Sequence, residues 1–147
     1  MALDAYHMKS QYRMILMIAC VLDGNNEILP LAWAILPTED GENWHWFMTI
    51  FYNTFETFLE QDKMVIISNR DKGLRSSVAK LLPDAAHSYC CQHLSTNLKN
   101  AHGTITANLF WSIAKARTKE KFQAALEKLS DHKNKATAWV KEVPPEK

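Results

Sequence analysis

Two short segments hold the residues best suited to metal-assisted chemistry. Asp4 sits in Leu3-Asp4-Ala5-Tyr6-His7, and Asn69 in Ile67-Ser68-Asn69-Arg70-Asp71. Carboxylates carried on two neighbouring strands can jointly hold divalent ions, because Mg²⁺ takes hard oxygen ligands and leans on their charge. Two such ions about 4 Å apart would activate an attacking oxygen and stabilise a leaving one in phosphodiester transfer. Asp71, two positions beyond Asn69, is a further metal-ligand candidate. A third segment, Tyr89-Cys90-Cys91-Gln92-His93, has the Cys-x-x-His spacing of half a zinc site. His87, Cys91 and His102 lie close enough in sequence to complete one, but no second pair shows clean spacing, so zinc is disfavoured. Cys90 then reads as a small packed hydrophobe, and His93 as a cap or a residue turned toward the active-site side. His7 could orient Asp4, contact phosphate, or hydrogen-bond across the sheet. Lys9, Arg13 and Arg70 are candidates for contact with nucleic-acid phosphates, against the plainer reading of solvated cations.

The elements that must position these residues follow from hydrophobic periodicity. Leu3 to Met8 reads as a short strand. Arg13 to Leu22 is a nearly continuous apolar run, which predicts a strand buried on both faces. Asp23-Gly24-Asn25-Asn26 supplies hairpin-turn chemistry, and Ile28 to Leu36 returns as a third strand with Pro30 near its start. A helix over Asn43 to Glu60 follows, with Trp44, Phe47, Ile50, Phe51, Phe55, Phe58 and Leu59 as its apolar stripe. Trp46 falls off that stripe and is the aromatic best placed for a functional contact. Met64 to Ser68 reads as a buried strand, then comes a helix carrying Leu74, Val78, Leu81 and Leu82 and stopped by Pro83. Ala86 to Cys90 is a last short strand. Leu94 to Lys99, Ile105 to Ala116, Lys119 to Leu129 and Lys135 to Val143 read as helices, with Thr118 as an N-cap.

This order is α/β. Three antiparallel strands are followed by parallel crossover strands and a helical C-terminal part, an RNase H-like mixed sheet. Such a sheet sets its chemistry where the first and fourth strands lie side by side, which selects Asp4 and the position of Asn69. Residues 1–100 read as the core and 101–147 as a helical region, either the start of an insertion or a C-terminal layer of a truncated domain. The terminal Pro144-Pro145-Glu146-Lys147 is polar and reads as the end of a fragment.

Composition narrows the class. Hydrophobic residues at 47% and charged residues at 22% describe an ordinary globular chain. A net charge of +1 argues against a strong polybasic field, so DNA would be held by a local strip or by another domain. The apolar run from Met14 to Leu22 is too short to span a bilayer. Three cysteines, two of them adjacent, make poor disulfide arithmetic and fit a reducing compartment, cytosolic or nuclear.

Seven motifs in order give the chain a family resemblance. Asp4-Ala5-Tyr6-His7, Asp23-Gly24-Asn25-Asn26 and Pro30-Leu31-Ala32-Trp33-Ala34-Ile35 come first. They are followed by Glu42-Asn43-Trp44-His45-Trp46-Phe47, Ile67-Ser68-Asn69-Arg70-Asp71-Lys72-Gly73-Leu74 and Tyr89-Cys90-Cys91-Gln92-His93. The last is the Trp111–Ala116 and Phe122–Ala125 pattern. Together they resemble the catalytic domain of Mutator-like (MULE) DNA transposases, of the RNase H-like DDE superfamily, over roughly Leu3 to Val140. The resemblance implies Mg²⁺- or Mn²⁺-dependent cleavage and strand transfer at transposon ends in double-stranded DNA, in the nucleus, with a homo-oligomer as the working form. Asp4, Asn69 and His93 would be the catalytic positions, and His7, Lys9 and Arg70 the contacts to DNA. Ala5 replaces a family glycine, and Asn69 replaces the second catalytic Asp. The family's third acid is expected beyond Lys147, with Glu120 and Glu127 the late candidates here. The expectation is a catalytically degraded transposase domain; the alternative is a domesticated DNA-binding or protein-interaction module without catalysis.

Overall fold

Five strands form one sheet in the order β3-β2-β1-β4-β5, seen in a computed structural model that describes residues 1–9, 11–60 and 64–144. They are β1 (Ala2–His7), β2 (Ile15–Leu22), β3 (Ile28–Leu36), β4 (Val65–Ser68) and β5 (Ala86–Tyr89). The first three pair antiparallel, and β4 joins β1 in parallel. The expected mixed α/β sheet with a helical C-terminal part is therefore what the chain adopts.

The hairpin between β2 and β3 closes as its residue types require. Asp23 Oδ1 accepts from the backbone N–H groups of Asn25 and Glu27, at 2.8 and 2.9 Å. Asn26 takes the left-handed conformation, φ 64, which asparagine tolerates better than most residues. At the edge, Leu31 is an extra residue between the pairs Ala19↔Ala32 and Cys20↔Pro30, a bulge that breaks the ladder beside a proline with no N–H to offer.

Alternation along the strands assigns their faces. Leu3, Ile15, Met17, Ala19, Ile66 and Ser68 are buried on one face. Their neighbours Leu16, Ile18 and Cys20 are half-buried, while Trp33, Val65 and Ile67 are exposed. The apolar run of β2 thus buries one face fully and the other in part. A run of this kind does not by itself tell a doubly covered strand from one covered on a single side.

Helices α1 (Gly41–Leu59) and α2 (Lys72–Leu81) flank β4 in sequence and share a core with the buried sheet face. Asp40 caps α1 by accepting from Asn43 N at 2.9 Å, and α1 kinks at Phe55. Trp44, Phe47, Met48, Phe51 and Leu59 are its buried residues. Ile50, expected in the stripe, is 49% exposed, and Met48 takes the inward place, a shift of the buried arc by part of a turn. Trp44 is completely buried, whereas Trp33 and Trp46 are exposed. Each fully buried Leu, Ile or Met here stabilises the fold by about 1.5–3 kcal/mol.

The two helices touch backbone to backbone at their first turns. A Cβ built on Gly73 would lie 2.6 Å from Gly41 Cα and 2.9 Å from Gly41 N. Only hydrogen at position 73 permits that approach.

The chain divides into two compact units, 1–88 and 89–147. Within the second, α3 (Cys91–His102), α4 (Thr104–Ala114), α5 (Lys119–His132) and α6 (Asn134–Lys141) enclose a separate core built on Leu94, Leu98, Phe110, Ile113, Leu126 and Leu129. Thr118 caps α5 as expected, accepting from Lys121 N at 3.3 Å. Among the described residues no helix is long and apolar enough to cross a membrane.

Candidate metal and nucleic-acid site

The parallel register of β1 and β4 decides which side chains meet. Ala2 pairs with Ile67 and Leu3 with Ser68. One step further Asp4 comes opposite Asn69, just past the end of β4. Leu3 and Ser68 are buried, and the residues that follow them, Asp4 and Asn69, are half-buried; neighbouring strands lie about 4.8 Å apart. The two positions expected to share an ion each follow the last paired residues of β1 and β4. One is a carboxylate and the other a carboxamide.

Local hydrogen bonds already occupy the oxygens at this strand end. Asp4 Oδ1 accepts from Ala5 N at 2.9 Å. Asn69 Oδ1 accepts from Asp71 N at 3.0 Å, a short side-chain turn after β4. Asp71 Oδ1 accepts from Leu74 N at 2.8 Å, which makes Asp71 the N-cap of α2. The carboxylate two positions past Asn69 thus spends one oxygen on holding the helix start. That role went unread in the sequence, although an Asp three residues before Leu74 is the signal for it.

This donor set does not fit a tightly held pair of Mg²⁺ or Mn²⁺ ions. Asp4 and Asn69 offer one negative charge between them, the Asn69 oxygen is engaged by backbone, and the Asp71 carboxylate is drawn into the cap of α2. Among the described residues no three His, Cys, Asp or Glu side chains are grouped to hold a metal.

Beneath the pair, β4 is tied to β5. Ser68 Oγ donates to Asn69 O at 2.7 Å and lies 2.8 Å from His87 Nε2. His87 is engaged within the sheet, in the first unit.

The other expected residues fall into separate places. His7, at the far end of β1, has Nε2 3.1 Å from Glu39 Oε2, with the His7 side chain 73% exposed. Lys9 follows it in the β1–β2 turn, and Arg70 lies half-buried between Asn69 and Asp71. His93 sits half-buried in the first turn of α3, in the second unit. Cys90 precedes that helix as its N-cap residue, and burial, with Cys90 adjacent, pushes the Cys91 thiol up. Glu120 and Glu127 are both exposed on α5, also in the second unit.

The first unit is thus a mixed α/β sheet carrying an acid–amide pair where its first and fourth strands meet. The MULE transposase domain model matches residues 1–97, and the chain belongs to that family. No curated protein matches the chain.

Proposed function

We propose that this chain is a transposase-derived domain of the DDE type that has kept its DNA-handling sheet and lost strand cleavage. The observation that carries this reading is the parallel pairing of β1 with β4, beside which Asp4 and Asn69 stand one residue past the pair Leu3 and Ser68. A single carboxylate beside a neutral amide lacks the charge that divalent-metal phosphodiester chemistry needs. Asp4 is the surviving ligand position, Asn69 the degraded one, and Asp71 an outlying oxygen already bound up in a helix cap. His93 is an accessory position. His7, Lys9 and Arg70 lie along or beside the two strands that carry the pair, where they would meet the phosphates of double-stranded DNA at transposon ends. The reading places the protein in the nucleus, as a homo-oligomer on its DNA. Membership of a transposase family supports DNA as the partner; fold alone does not decide activity.

Calorimetric titration with Mg²⁺ and with Mn²⁺ tests the pair. The unaltered chain should show no saturable binding in the low millimolar range, Asn69→Asp should create it, and Asp4→Ala on that background should remove it. Metal-dependent DNA cutting by the unaltered chain, abolished by Asp4→Ala, would overturn the loss of catalysis. Titrations unmoved by either substitution would overturn the site itself.

A further inference from the structure

We infer that Lys9 and Arg13, between β1 and β2, form a phosphate-binding strap, a second contact for the DNA backbone that works without the Asp4–Asn69 pair. It rests on the reading of DNA as the partner. His7, Met8, Lys9, Gln11 and Arg13 line one open hollow of about 630 Å³. None of these five is acidic, so the hollow is chemically suited to an anion. Lys9 and Arg13 form no ion pair among the described residues. His7 is the exception, since Glu39 meets it at 3.1 Å from the side. In a chain whose formal charge is only +1, two such cations lining one hollow form a local basic strip.

The backbone holds one of these cations in an unusual way. Arg13 has φ 46, a left-handed conformation that L side chains rarely adopt. Residues held so tend to mark functional positions. An arginine fork can grip a phosphate through two parallel N–H groups, and a lysine adds a mobile point charge.

Position along the strand supplies the link to the pair. From Asp4 to His7 is three residues of β1, roughly 10 Å at about 3.3 Å per residue. One DNA strand advances about 3.4 Å per phosphate along its axis, so a backbone passing Asp4 reaches the hollow within about three nucleotides. The hollow is open and wide, which suits a run of phosphates crossing it better than one enclosed ion.

Fluorescence anisotropy with a short DNA duplex of mixed sequence, in EDTA and across a salt series, tests this. The Lys9→Ala/Arg13→Ala double variant should bind about ten-fold more weakly at low salt. Its slope of log affinity against log salt should fall by about two, near 0.9 for each phosphate left without its cation. Arg13→Lys should keep most of the slope. The control Lys80→Ala/Lys128→Ala removes the same charge from exposed sites on α2 and α5 and should leave the slope nearly intact. Equal losses in both double variants would overturn the strap in favour of net charge alone, as would no loss in either. Chelator keeps divalent ions out, so a failed metal titration leaves this result standing. Unchanged binding by the strap variant, alongside metal binding restored in Asn69→Asp, would overturn the strap alone. Absence of duplex binding at any salt would overturn both.

Discussion

Asn69 differs from aspartate by one exchange of oxygen for an amide nitrogen, and that exchange removes the charge while leaving the local turn intact. An Asp at 69 could still accept from Asp71 N, so Asn69→Asp should fold as the parent does. Two other residues carry pH signatures of the fold. Tyr52 donates to Glu60 Oε1 at 2.7 Å, and that bond, with burial and the charge of Glu60 behind it, pushes the phenol up to about 12. Its folded value stands above its unfolded one, so its contribution is full below pH 10 and lost as the pH rises toward 12. Asp40 shows the opposite sign. Hydrogen bonds from Asn43 N and Thr38 hold its carboxyl below its ordinary 3.8. Its contribution is present above that value and fades as the pH falls through the folded one. A spectrophotometric titration of the four tyrosines should show one ionising late, and Tyr52→Phe should abolish that step and flatten the alkaline limb of a stability profile.

At the scale of elements, the first-turn contact of α1 and α2 is asymmetric. A methyl at 73 would collide with the backbone of Gly41, whereas a methyl at 41 would meet Gly73 Cα at an ordinary 3.7 Å. Gly73→Ala should therefore destabilise by about 2 kcal/mol or more, as overpacking does, while Gly41→Ala should cost under about 1 kcal/mol. Denaturant melts of the two variants separate them, and similar losses would mean the helices slide apart freely. This contact also marks where reading the sequence reaches its limit. The β2–β3 turn, the Thr118 cap and the order of strands were legible because each rests on local residue types or periodicity. Gly73 is silent alone, since its partner is thirty-two positions away. Met48 displaced Ile50 from the core because the angle of α1 on the sheet sets which arc is buried, and no pattern within the helix reports that angle. The pairing of β1 with β4 was legible from the order of elements. The occupation of Asn69 Oδ1 by Asp71 N was not, since it depends on backbone angles after β4 that many residues could adopt.

For the whole molecule, two separate cores imply two stabilities. The first unit draws its core from strands and helices far apart in sequence, while the second is built of successive helices. Helical units rich in local contacts form faster than sheets that must close long loops. Urea unfolding should depart from a single two-state transition, with helical circular dichroism and tryptophan emission giving different midpoints. Coincident curves would mean that the two units unfold as one. The chain carries its own means of telling them apart. Trp44 is fully buried in the core of the first unit, shielded from water, while Trp33 and Trp46 are open to it. An indole kept from relaxing solvent emits at shorter wavelength and escapes ionic quenchers. With the half-buried Trp111 and Trp139 of the second unit replaced by phenylalanine, the blue, unquenchable fraction of the light becomes the optical signature of a closed first unit, and its reddening would time the moment that unit opens.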